Sequence, residues 1–449
     1  MPDKSHAKDK PHAVLIAWSY PPISGVAAYR TLRVSKVLVQ AGWDVTVITA
    51  FPNNTATRMY SPDLERFIPP EVNVVRLLDT TTAATIKPPF RLHSRTILAR
   101  LFRIAQREYR KLISLLSFPK EIRSLIRYSR SIRFPLRKFN STWSVHVLHY
   151  LDELYRVKPF DVVWATIPPV STGVLASFVS RQFKVPYLLD YRDLWIENPY
   201  FPGDHHAQQV EKLLLENASS VTTVTKGFCH ALTPKTHTPV TLIHNGFDPD
   251  IFEKIRLSES LSLDSVLSIT YAGTIYKDYD FTPLIEALTT PTINAALHIY
   301  GSINPGAKFS VPVHSQVVEF HGFAPSDQIH QKLKKTHIVL IVGVPDSSEV
   351  IPAKLYEALA LRKPVIYLGG KHDEATEILQ QCGLLLCASC DAIEIREALT
   401  RAYVSKQTDI SLCEPDEEEI SKYSLGKQAP LINEVFQDAL TAHKTHLNL

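Results

Sequence analysis

Long apolar runs are missing from this 449-residue chain. The uncharged stretch 162–180 contains Pro168-Pro169 and small polar residues, which excludes it as a membrane span. The apolar run 13–18 is too short for the core of a signal peptide. Cysteine is scarce and odd in number, at positions 229, 382, 387, 390 and 413, so no disulfide framework is expected. Cys387-Ala-Ser-Cys390 has zinc-ligand spacing, yet no second Cys pair or His pair accompanies it. Internal repeats and low-complexity segments are also missing, apart from a polar N-terminus over 1–10. These absences exclude a small secreted scaffold and an integral membrane protein, and leave a reduced, cytoplasmic chain as the expectation.

What is present is an ordinary globular composition, 45% hydrophobic and 21% charged, over a length that suits two domains. The net charge of +4 hides an asymmetry. Residues 87–138 carry fifteen Lys/Arg against only Glu108 and Glu121, so the remainder of the chain is net negative. On a helical wheel Leu98, Leu101, Ala105, Tyr109, Leu112 and Leu116 fall on one side of this block. Arg100, Arg103, Arg107, Arg110 and Lys111 fall on the other. One reading is a helical hairpin with a solvated basic face; the other is an interfacial helix pair for anionic lipid. The arginine density exceeds what solubility requires and favours the second. Nucleic acid is not expected, because no RNA-binding motif or aromatic platform accompanies the charge.

Outside this block, apolar runs alternate with helical periodicity, the pattern of doubly wound α/β domains. Residues 12–17 read as a first strand, followed by a loop containing Gly25 and a helix over 29–40. Gly25 lets a backbone approach a ligand, but a single glycine is not a dinucleotide fingerprint. Arg30 is a further residue for that face. Strands follow at 43–49, 160–166 and 185–190, with a loop over 167–173 before the next helix. A turn at Asn245-Gly246 separates the halves. The second half restarts with a strand over 267–271 and the loop Ala272-Gly273-Thr274, with Lys277 shortly after.

The apolar run 337–343 reads as a buried strand leading to Asp346-Ser-Ser-Glu349-Val-Ile351-Pro352-Ala-Lys354-Leu-Tyr-Glu357. Pro352 suits the first turn of a helix, and Leu355, Ala358 and Leu359 supply its core-facing stripe. Glu349 then sits in the loop and Glu357 one to two turns into the helix, both expected to face the crevice at the strands' carboxyl ends. A helix start and Lys354 suit a diphosphate, and flanking carboxylates suit sugar hydroxyls. A capped amphipathic helix with surface acids accounts for the same residues equally well.

Glu, seven residues, Glu resembles the signature of retaining GT-B glycosyltransferases, and the segment 351–366 resembles their family 4. The resemblance implies two Rossmann-like domains facing across a cleft: 1–243 on the acceptor side, with the basic insertion near 87–138; 244–424 binding the nucleotide sugar; and a helix over 425–449 crossing back. It implies that Glu349 contacts the transferred sugar and Glu357 the ribose of the donor. Gly25, Gly273, Thr274, Lys277, Ile351, Pro352 and Lys354 would complete the donor site. Tyr191-Arg192-Asp193-Leu194-Trp195 resembles an Arg-Asp-Leu-Trp subgroup in which Arg192 replaces the usual His. Asp193 reads either as an acceptor-orienting carboxylate or as a cap of its own loop. Asp248-Pro-Asp250 has the spacing of a metal-binding acid pair but falls in the turn between the halves, so neither a metal nor a cofactor is expected. The implied reaction is metal-independent transfer from a nucleotide sugar, UDP-sugar favoured, to a lipid-linked or cell-envelope glycan on the inner face of the membrane. A GT-B epimerase or phosphorylase and a non-catalytic nucleotide-sugar or membrane-binding member are the rival readings.

Overall fold

Short runs rich in Val, Ile and Leu form thirteen strands among the described residues, and every strand pair is parallel. A parallel strand is covered on both faces, which is why its sequence is continuously apolar rather than alternating. Residues 12–16 and 338–342 are buried at every position. The structure is a computed structural model that describes residues 10–52, 60–78, 141–198, 205–256, 266–289, 293–304, 307, 317–345, 347–408 and 410–447. The basic block 87–138 lies outside the described residues.

The first sheet comprises β1 (His12–Ile16), β2 (Asp44–Ala50), β3 (Asn73–Leu77), β4 (Val162–Ile167), β5 (Tyr187–Tyr191), β6 (Ser220–Thr223) and β7 (Val240–Leu242). Their spatial order is β3-β2-β1-β4-β5-β6-β7. The second comprises β8 (Leu267–Ala272), β9 (Ala295–Tyr300), β10 (Val318–Gly322), β11 (Ile338–Val342), β12 (Val365–Leu368) and β13 (Leu385–Ala388), in the order β10-β9-β8-β11-β12-β13. Both sheets are doubly wound. The strand order reverses between β1 and β4 in one and between β8 and β11 in the other, and ligands bind at such points. Two Rossmann-like domains of this kind make the GT-B architecture.

The helices cover these sheets. Helix α1 (Val26–Gln40) starts three residues before the expected Tyr29, because Gly25 takes φ 114° and lets the chain turn directly into the helix. After α2 (Ser141–Val157), α3 (Val170–Phe183) also starts early, absorbing most of the loop expected over 167–173. Gly173 therefore lies inside α3, where a Cβ would sit 2.8 Å from Ile167 Cδ1; its lack of side chain lets the helix lie on β4. Further along run α4 (His205–Glu216), α5 (Lys226–Leu232), α6 (Pro249–Arg256), α7 (Thr282–Leu288), α8 (Ser326–Lys335), α9 (Lys354–Leu361), α10 (Glu374–Gln381), α11 (Ala392–Thr408), α12 (Glu417–Ser421) and α13 (Leu425–Leu447).

Helix α13 buries Ile432, Val435 and Phe436 among first-domain residues such as Leu32 and Trp43. Trp43 donates to Asn433 at 2.9 Å and meets Phe436 edge-on. The chain's last helix thus packs on its first domain. Among the described residues no helix is long and apolar enough to cross a membrane.

Candidate functional site

The two reversal points face one another, and between them lies a cavity of about 910 Å³. Gly25, Tyr29 and Arg33 line it from the first domain; Gly273, Thr274, Lys354 and Glu357 line it from the second. The first turn of α1 holds no acidic side chain, so its free N–H groups and positive dipole end stay available to an anion. On the opposite wall Gly301 (φ 148°) is pressed against the Gly273 loop. A Cβ there would lie 1.8 Å from the Gly273 carbonyl oxygen, so only glycine fits. Thr274 and Ser302 join their hydroxyls at 3.2 Å along the same edge.

The Glu349–Glu357 segment differs in detail from expectation. Helix α9 begins at Lys354 with Ala353 as its cap, so Pro352 stands just ahead of the helix rather than in its first turn. Its carbonyl accepts from the Leu355 N–H at 3.0 Å and closes the entry turn. Glu357 falls in the first turn, not the second. Lys354 Nζ donates to both Glu357 carboxylate oxygens, at 2.8 and 2.9 Å. The buried His330 stands 3.8 Å from the same carboxylate. Burial pushes the His330 pKa down to about 4, so near neutrality it is an uncharged imidazole. Ile351 is buried in the core beneath this loop and does not line the cavity.

Glu349 is exposed and also outside the cavity lining. It reaches across to the first domain at Gly227, where a Cβ would meet its Cγ at 2.7 Å. The two acids therefore do not both face the same space: Glu357 walls the cavity, and Glu349 stands beside the start of α5. The neighbouring interdomain contacts are ionic. Lys226 donates its N–H to Glu374 at 2.8 Å and its Nζ to Glu377 at 3.1 Å. Lys277 lies on the exposed turn after β8, next to the cavity-lining Tyr276.

Arg192 and Asp193 follow β5. Arg192 Nε donates to Thr166 Oγ1 at 2.8 Å, and its NH2 donates to the Pro168 carbonyl. Its guanidinium thus holds the turn after β4. Burial lowers its pKa, partly opposed by Asp193. Asp193 is half-buried, and desolvation raises its pKa against the pull of Arg192.

Sequence reasoning missed a basic stripe on α1. Arg30, Arg33 and Lys36 recur at helical spacing, and all three are buried at the joint between the domains. Arg30 pairs with Asp190 through Nε (3.3 Å) and NH2 (2.7 Å), while its NH1 donates to the Ile243 and His244 carbonyls at 2.7 and 3.0 Å. All these donors are engaged, and Arg30 also lines the cavity, on the ligand-facing side expected of it. Lys36 donates to Asp248 and Asp250, both at 2.6 Å, which makes that Asp-x-Asp an ion-pair clamp. A second such pair, Asp278-Tyr-Asp280, lies after β8, where Asp280 accepts from the Thr282 N–H at 2.9 Å. Arg33 donates through NH2 to Gln428 at 2.6 Å, while its Nε and NH1 have no partner. Burial, reinforced by Arg30, pushes the Arg33 pKa down to about 9. It is a charged, cavity-lining donor with unused capacity.

These walls offer backbone N–H groups, cations and the carboxylates of Glu357 and Asp248 around a space of small-ligand size. Comparison with known proteins agrees with the fold. Residues 24–246 match the glycosyl transferase 4-like domain. The matched residues span α1 and strands β2 to β7 of the first sheet. Solved structures similar to the whole chain share its GT-B architecture. Anabaena HepE in complex with UDP superposes with a TM-score of 0.59 at 14% identity, covering 95% of this chain and 99% of that one. Staphylococcus aureus TarM, in a complex that includes UDP, gives 0.56 at 9% identity, covering 96% and 99%. The UDP-GlcNAc 2-epimerase of Methanocaldococcus jannaschii gives 0.50 at 12%, covering 95% and 99%. Among curated protein sequences nothing matches the chain.

Proposed function

We propose that this protein is a retaining glycosyltransferase that uses a UDP-sugar donor. The observation that carries the reading is the cavity between the two reversal points, with Lys354 and Glu357 on one wall and the start of α1 on the other. A glycosyl transfer needs a place where the diphosphate leaving group gains charge without cost, and helix N-termini with cations provide it. In this reading the starts of α1 and α9, with Lys354 and Lys277, receive the diphosphate. Gly25, Gly273 and Thr274 supply close backbone and hydroxyl contacts, while Ile351 and Pro352 shape the loop. Glu357 accepts from the ribose hydroxyls. Glu349 meets the transferred sugar on the side facing Gly227, and Arg192 and Asp193 border the acceptor path. The UDP complexes of the similar proteins support UDP as the nucleotide.

The acceptor we assign is a lipid-linked or cell-envelope glycan, reached at an anionic membrane surface through residues 87–138. The epimerase among the similar structures keeps a second reading open: a sugar nucleotide rearranged with no acceptor. UDP, a ligand of the folded state only, should raise the melting temperature by mass action. With UDP-glucose and related donors, NMR of the product should show the donor's anomeric configuration retained, and transfer should continue in excess EDTA. Inversion, or activity abolished by EDTA and restored by Mg²⁺ or Mn²⁺, overturns the proposal. A free epimerised nucleotide sugar formed without acceptor selects the second reading.

A further inference from the structure

Away from the reaction just proposed, the edge of the second sheet gathers three metal-ligand types. His298 on β9 and Glu319 on β10 lie directly across from one another in the strand register. His321 falls where that register shifts, between Phe320 and Gly322, and the irregularity brings its ring to the same place. His298 Nδ1 lies 3.2 Å from His321 Nε2 and 3.2 Å from Glu319 Oε2, and His321 Nε2 lies 3.5 Å from that same oxygen.

This is a nearly equilateral triangle of three lone-pair atoms. Hydrogen bonding alone does not account for it well. Each imidazole nitrogen carries at most one proton, which serves one edge of the triangle. Protonating both rings would set two like charges 3.2 Å apart. A single cation serves all three atoms at once. Tetrahedral zinc with ligands at about 2.0–2.2 Å requires ligand atoms about 3.3–3.6 Å from each other. The side chains of His298, Glu319 and His321 are 26%, 54% and 33% exposed, so an ion can enter and keep a water as fourth ligand.

We propose that His298, Glu319 and His321 bind one divalent transition-metal ion. Two imidazoles with one carboxylate favour zinc over magnesium or calcium, which prefer all-oxygen shells. The ion would clip β10, the edge strand of this sheet, to β9. It would also fix the His321 ring, which stacks on Tyr300 at 4.4 Å and 10°. Tyr300 lines the cavity, so the clip also steadies one of its walls.

The experiment is calorimetric titration of the untagged full chain with Zn²⁺ at neutral pH, with Co²⁺ absorption as a second readout. One ion should bind per chain, raise the melting temperature, and give the intense visible bands of tetrahedral or five-coordinate cobalt. His298→Ala and Glu319→Gln should each weaken binding by more than the roughly 10–100-fold that loss of an outer partner costs. Cys387→Ser/Cys390→Ser should bind as wild type. Absence of stoichiometric binding overturns the proposal, as does binding that survives His298→Ala and disappears with the cysteines. None of these readouts depends on turnover, so this proposal and the glycosyl-transfer reading stand or fall separately.

Discussion

Removing both partners of the Arg30–Asp190 pair should cost clearly less than the sum of removing each alone. Both side chains are almost wholly buried, at 2% and 1% exposure. Asp190 also accepts from Thr166 Oγ1 at 2.9 Å and Thr222 Oγ1 at 2.7 Å, so its carboxylate is saturated. In Arg30→Met the carboxylate keeps only the two hydroxyls, and the Ile243 and His244 carbonyls lose their donor. Breaking a buried pair in this way costs about 3–5 kcal/mol. At about 2–4 °C per kcal/mol for a domain of this size, the first domain's melting temperature should fall by about 6–20 °C. Asp190→Asn should fall in the same range, because the Arg30 charge is then left buried. The double variant Arg30→Met/Asp190→Asn should lose clearly less than the two single losses together, since no orphan charge remains. Differential scanning calorimetry of the four proteins measures this. Single losses near 1 kcal/mol, or strict additivity, would refute the view that this buried pair ties α1 to the first sheet. The pH dependence follows from the same contacts. Desolvation alone would raise the Asp190 pKa, but Arg30 and the two hydroxyls overcome it and hold the pKa below the ordinary value. A depressed carboxyl stabilises fully above the unfolded value, about 3.9, and loses that contribution as pH falls through the lower folded value. Wild type should therefore lose stability on acidification below about pH 4, and Asp190→Asn should lack that component.

Glu357→Gln removes the carboxylate that faces the cavity and should raise the donor KM about 10–100-fold, the worth of a charged hydrogen bond; Glu349→Gln should chiefly lower kcat. Steady-state kinetics showing both variants at wild-type values would dismiss the two acids from the site. Gly301→Ala places a methyl 1.8 Å from the Gly273 carbonyl oxygen, so it should displace the Gly273 loop and sharply reduce UDP binding by calorimetry, an outcome that unchanged affinity would rule out. Wild type should sediment with anionic vesicles at low salt, and reversing Arg100, Arg103, Arg107 and Arg110 to Glu should release it without lowering its melting temperature. Failure of wild type to sediment would make the basic block a solvated insertion and favour a soluble acceptor.

The sheets were legible because parallel strands need unbroken apolar runs, and those runs stand out between helical patterns. The Glu349–Glu357 loop was legible for a similar reason, since strand, turn and helix start are all local signals. What could not be read is whatever depends on contacts distant in sequence. Gly301 is a glycine because Gly273 lies against it, and nothing near Gly301 says so. Glu349 and Glu357 differ in surroundings because α5 of the other domain meets one and not the other. The early starts of α1 and α3 follow from Gly25 and Gly173, whose turn and packing roles have no local periodicity to reveal them.

The basic stripe of α1 carries this furthest. Charge is normally left in water, so three cations buried on one helix need partners. Here each finds a partner far along the chain: Asp190 for Arg30, Gln428 for Arg33, Asp248 with Asp250 for Lys36. Those partners belong to the first sheet, the returning helix α13 and the entry to the second domain. One helix thus binds the three parts whose mutual placement defines the cleft, while its own N-terminus forms a wall of the cavity. A shift of the second domain about this joint must strain the Lys36 clamp, and a shift of α1 must move the Gly25 turn. The geometry of the cavity and the stability of the joint are therefore set by the same side chains.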